Sequence, residues 1–100
     1  MRKKSYKVGS PRSRLAGYTP HGKIWINPYV PSKDRKRLRV HERTEYRLRR
    51  TKGMNYRDAH QVAGRKEVRG LTKHQVFVYS GRLGAVARWH PWHPRKRRLS

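Results

Sequence analysis

Residues 32–60, SKDRKRLRVHERTEYRLRRTKGMNYRDAH, decide how this chain folds. Ser32 is a credible N-cap, Asp34 puts a carboxylate where it meets the positive end of a helix dipole, and Gly53 supplies a left-handed terminator. The pattern predicts one long helix over residues 33–52. Along it Leu38, His41, Glu45 and Leu48 recur at helical intervals and form a single stripe, with the two polar residues bracketed by the apolar ones. His41 and Glu45 are therefore expected to face the core. Glu42 lies one position off that stripe.

Beyond Gly53, Asn55 with Asp58 three residues on is an imperfect capping box for a second helix that reaches Gly64 or slightly further. Thr72 and Gln75 form another box. Residues 72–79 read as helix by that signal and as strand by the run Val76-Phe77-Val78, and so short a segment leaves both readings open. Gly81 and Gly84 flank a short helix expected over residues 82–89. Upstream of the long helix, KIWIN at residues 23–27 is β-like, stopped by Pro28 and followed by a turn-rich Tyr29-Val30-Pro31. The expected fold class is α+β: a small, mainly helical core over residues 23–88, with two to four helices and a short strand or hairpin. Extended basic arms flank it, residues 1–22 and 89–100, and are expected to order on a partner.

Charge narrows the partner. The chain of 100 residues carries 28 Lys and Arg against 5 Asp and Glu, a formal net charge of +23. A small core with that charge repels itself unless a polyanion is bound. Nucleic acid fits best, because neutralised phosphates release their counterions. A membrane is not expected, since no apolar run approaches the ~18 residues a span needs. Arg outnumbers Lys, and Arg forks onto phosphate and stacks on bases. The residues assigned to nucleic acid are Arg2, Lys3, Lys4, Lys7, Arg12 and Arg14 in the first arm, and Arg35, Arg37, Arg43, Arg47 and Arg50 on the long helix. In the last arm they are Trp92, Arg95, Lys96, Arg97 and Arg98. The segment HPWHP at residues 90–94 reads as a contact strap on RNA or on a neighbouring protein. Trp25, Tyr46, Tyr56 and Phe77 are expected to fill the core, while Tyr6, Tyr18, Trp89 and Trp92 divide evenly between core filling and base stacking.

Two of the five acids sit in the middle of the long basic helix. A His with a carboxylate one turn away is a metal-ligand pair, Glu42 stands beside it where zinc hydrolases keep a general base, and His60 can add a third ligand. The same residues, with Glu67, can instead form a buried hydrogen-bonded cluster that locks helix one to helix two without metal. With no cysteine, disulfides and thiolate metal sites are excluded. The chain holds no GxGxxG, GxxxxGK[ST] or GxSxG motif, so most enzyme classes have no foothold.

The run from KIWINP at residues 23–28, through the HExxE of His41 to Glu45, to GMNYRDAH at residues 53–60 resembles small zincin-type metallopeptidase relatives. There a strand precedes an HE-containing helix and a later His completes the site. The resemblance covers residues 22–70. It implies that His41, Glu45 and His60 are zinc ligands and Glu42 the base; Glu45 stands where the usual HExxH has its second His. Composition as a whole resembles a ribosomal protein. Three functions are consistent with these features. The leading expectation is a non-enzymatic, rRNA-binding architectural protein with no cofactor, cytoplasmic, in a ribosome or other nucleoprotein particle. The others are a DNA-packaging protein of a virion or of chromatin, and a small zinc hydrolase.

Overall fold

The computed structural model describes residues 15–92. A two-stranded antiparallel hairpin, β1 (Ala16–Tyr18) and β2 (Ile24–Ile26), precedes three helices, α1 (Ser32–Thr51), α2 (Tyr56–Glu67) and α3 (Lys73–Trp89). The fold is small α+β, as expected. Both strands and α2 pack on α1, which is thus the central element. A core of Leu15, Ala16, Ile26, Val30 and Leu38 meets Tyr79, Leu83, Val86 and Ala87 of α3.

The local signals explain most boundaries. Gly53, at φ +66°, ends α1, and the Leu48 carbonyl accepts from both Lys52 N–H at 3.1 Å and Met54 N–H at 3.3 Å, closing the last turn. The Asn55 side chain caps α2 by accepting from Asp58 N, and Thr72 and Gln75 form a complete capping box on α3. That box settles residues 72–79 as helix.

Several expectations need correction. Ser32 is the first helical residue and not the cap; Pro31 holds the cap position and no side chain bonds there. Gly81 and Gly84 do not separate two elements, because Tyr79, Leu83, Val86 and Ala87 give α3 one continuous buried stripe across both glycines. Residues 15–22 are not all arm. Leu15 and Ala16 are buried, and the Gly17 to Trp25 pairing lays the indole so close that a Cβ at Gly17 would meet it at 2.6 Å. At the other end the described part of the strap, residues 90–92, also packs on the body: the Trp92 ring lies 5.8 Å from Trp25, and His90 stacks on Tyr29 at 4.3 Å, while residues 93 and 94 lie outside the described residues.

Phe77 and Tyr56 do not fill the core. Phe77 is 77% exposed because it falls on the face of α3 opposite Tyr79, and Tyr56 is 49% exposed at the first turn of α2. Trp25, within β2, and Tyr46, which packs on Tyr18 of β1, are half-buried.

Candidate metal centre and nucleic-acid interface

α1 buries an unusually polar face: Asp34, His41, Glu42, Thr44 and Glu45 beside Leu38. With the hairpin on one flank and α2 on the other, the covered arc is wider than a single stripe. Glu42, expected outside the stripe, is consequently buried as well. Asp34 takes two hydrogen bonds from Arg82 of α3, at 2.8 and 2.9 Å. Arg82's own pKa is pushed up, chiefly by those bonds.

His41 is the centre of the cluster. Its Nδ1 lies 2.8 Å from Glu67 Oε1 and its Nε2 3.2 Å from Glu45 Oε1. His60 Nδ1, from α2, stands 3.2 Å from His41 Nε2 and 3.3 Å from Glu45 Oε1. The three atoms form a nearly equilateral triangle. For zinc–nitrogen bonds of 2.0–2.1 Å, the edge of a ligand tetrahedron is about 3.3 Å, so the triangle has the size of one face of a zinc site. An N–H at His60 Nδ1 lies within reach of both His41 Nε2 and Glu45 Oε1, and a metal ion at the same place would meet the same three atoms.

A second tier orients this one. Tyr18 donates to Glu45 Oε2 at 2.7 Å, and Tyr79 donates to Glu67 Oε2 at 2.6 Å. The Glu67–His41 pair reproduces the carboxylate–histidine arrangement that fixes the tautomer of metal-bound imidazoles. Burial works to raise the pKa of Glu45, but hydrogen bonds from His41, Tyr18 and His60 outweigh it and hold the carboxyl below its ordinary value. Burial, reinforced by Glu45, pushes the Tyr18 phenol up to about 12 against the pull of Arg49. The His60 side chain is 36% exposed, so the cluster opens to solvent on the α2 side, beside Tyr56, which stacks on that imidazole at 5.2 Å.

The opposite face of α1 is of another kind. Lys33, Lys36, Arg39, Arg43, Arg47 and Arg50 recur every three or four residues and all are exposed, forming a ridge along the whole helix with no acid in it. Of the residues expected to meet nucleic acid, Arg43, Arg47 and Arg50 lie on this ridge. Arg35 and Arg37 lie beside it and turn inward. Arg37 donates to the Glu67 and Arg69 carbonyls at the end of α2, both at 3.0 Å, and Arg35 reaches the Pro28 and Val30 carbonyls at 3.5 Å. Trp92 is half-buried on Trp25. Arg2, Lys3, Lys4, Lys7, Arg12, Arg14, Arg95, Lys96, Arg97 and Arg98 lie outside the described residues. Lys33, Lys36 and Arg39 were not among the expected contacts, although the wheel that groups Arg43 with Arg47 includes them.

Comparison of the chain with protein-family models, curated proteins and solved structures finds no match in any of the three. Among the described residues, no helix is long and apolar enough to cross a membrane.

Proposed function

We propose that this chain is an architectural nucleic-acid-binding protein that works by covering phosphate, as an rRNA-binding component of a ribosome or another cytoplasmic nucleoprotein particle. One observation carries this reading: of the five acids, Asp34, Glu42, Glu45 and Glu67 are buried and only Asp58 is exposed. The surface cations are therefore almost unopposed. On α1, like charges three and four residues apart each weaken the isolated helix by about 0.2–0.5 kcal/mol, a strain that phosphate removes. RNA is favoured over DNA because Arg and exposed aromatic groups suit irregular, unpaired structure, whereas a DNA coat needs only repeated backbone contact. The test is binding to duplex and single strands over a series of salt concentrations. A steep linear fall of log affinity with log salt is expected, and a flat dependence overturns the reading.

A second reading is favoured by the ligand triangle. His41, Glu45 and His60 would hold zinc, with Glu67 and Tyr18 orienting them, and Glu42 would be the base if the zincin resemblance extends to chemistry. Zinc would supply Lewis-acid polarisation and a water acidic enough to ionise near neutrality. Metal analysis of the purified protein, with melting in the presence and absence of chelator, tests it. Bound zinc whose removal lowers the melting temperature supports the centre, and a metal-free protein indifferent to added zinc removes it.

A further inference from the structure

Two recesses adjoin, and Arg37 lines both. The first, about 290 Å³, lies between α1 and α2. Its polar rim is Lys33, Lys36, Arg37 and Lys66; the fifth polar residue there, Glu67, has its carboxylate bound by His41 and Tyr79. The second, about 360 Å³, lies between α1 and α3 on an apolar floor of Leu71, Val78 and Tyr79.

The polar groups around that floor mostly donate. Gln75 uses its Oε1 to accept from Thr72 N, which leaves the amide nitrogen, and Asp34 has both oxygens bound by Arg82. Arg37 spends Nη1 on the Glu67 and Arg69 carbonyls and Arg82 spends Nε and Nη2 on Asp34, so the donors left around the apolar floor are the remaining guanidinium N–H groups and the Gln75 amide, with both Asp34 oxygens taken; His74 completes the rim. A ligand matched to this recess is flat, apolar on its faces and rich in acceptors at its edges. A ligand matched to the neighbouring recess is a monoanion or dianion. The two recesses meet at Arg37.

Resting on the nucleic-acid reading above, we propose that the α1–α3 recess receives an unpaired base, with the adjoining phosphate held by Lys33, Lys36 and Lys66. The volume, at the small end of ligand pockets, suits one heterocycle, and a base held in a stack cannot enter it. The protein therefore distinguishes strands with extrudable bases from duplex of equal charge.

The test compares three probes at one salt concentration: a single-stranded oligonucleotide, an abasic strand of the same length, and a duplex. The single strand is used in both ribo and deoxy forms. The parent protein is expected to bind either base-bearing strand about tenfold more tightly than the abasic one, the scale of a single stacked base. Val78→Arg fills the recess while adding charge, and Val78 is exposed enough for the helix to tolerate it. It should bring the ratio to about one without weakening duplex binding. His74→Ala, a milder change, should lower the ratio in the same direction, and Lys36→Glu with Lys66→Glu should weaken all probes together. Equal affinity of the parent for abasic and base-bearing strands overturns the proposal while leaving phosphate binding standing, as does a Val78→Arg variant that keeps the preference. Failure to bind any probe overturns both.

Discussion

His41 has both ring nitrogens engaged inside the protein, whereas His60 keeps 36% of its side chain exposed. His41→Ala strands two buried carboxylates and is expected to lower stability by about 1–3 kcal/mol. His60→Ala should cost less, yet either change should abolish any rise in melting temperature on adding zinc, because each removes a corner of the triangle. Glu42→Gln, which a surface position would make silent, should now also destabilise, and melting of the three variants checks the order. Tyr18 gives a second test. Its phenol, raised in the folded protein to about 12 from an ordinary 10, contributes stability that is complete below pH 10 and is lost as pH rises through about 12. Tyr18→Phe should flatten that window in alkaline melts. The inward turn of His41 and Glu45 was legible because the apolar residues bracketing them repeat at helical spacing. Tyr18 and Tyr79 were not assignable to the same cluster: they arrive from β1 and α3, and no local period records a contact made between distant segments.

Among the elements, α3 shows most clearly where sequence signals compete. Gly81 and Gly84 punctuate it as a break would, but the Thr72 box starts the helix and the stripe from Tyr79 to Ala87 gives packing a reason to continue through them. Neither glycine has an atom within 4 Å of a would-be Cβ, and neither has positive φ. Replacing both by Ala should therefore raise stability, by about 0.5–1 kcal/mol each, read as a higher melting temperature. A lower one would mean that a partner surface or an unrecognised strain requires them. The hairpin was only half legible. KIWIN announced β2, but AGY at residues 16–18 lacks the β-branched residues that mark a strand, and its place comes from pairing with Ile24–Ile26.

For the whole molecule, the proposed phosphate binding makes charge act on stability and on association with opposite dependence on salt. Moderate salt should raise the melting temperature of the free protein by screening its self-repulsion, and lower it when RNA is bound by dissociating the complex. Melting curves with and without RNA should therefore converge as salt rises. Removal of residues 1–14 should weaken binding and keep the fold, whereas removal of residues 1–20 also takes away buried Leu15 and Ala16 and the Tyr18 bond to Glu45 and should unfold the hairpin end. Circular dichroism and melting separate the two truncations. One residue at that end has a mechanical meaning. Asn27 donates its backbone N–H to the Leu15 carbonyl at 2.8 Å and its side-chain amide to the His90 carbonyl at 2.9 Å, so the described chain is moored at both ends to a single post. On the nucleic-acid reading, tension arriving along a strand bound at either end would reach this corner, beside a hairpin of only three residues per strand. The short hairpin would give way first, as a fuse does, and its opening would take the Tyr18 hydroxyl away from Glu45, so a pull on the chain end would be felt at the His–Glu cluster.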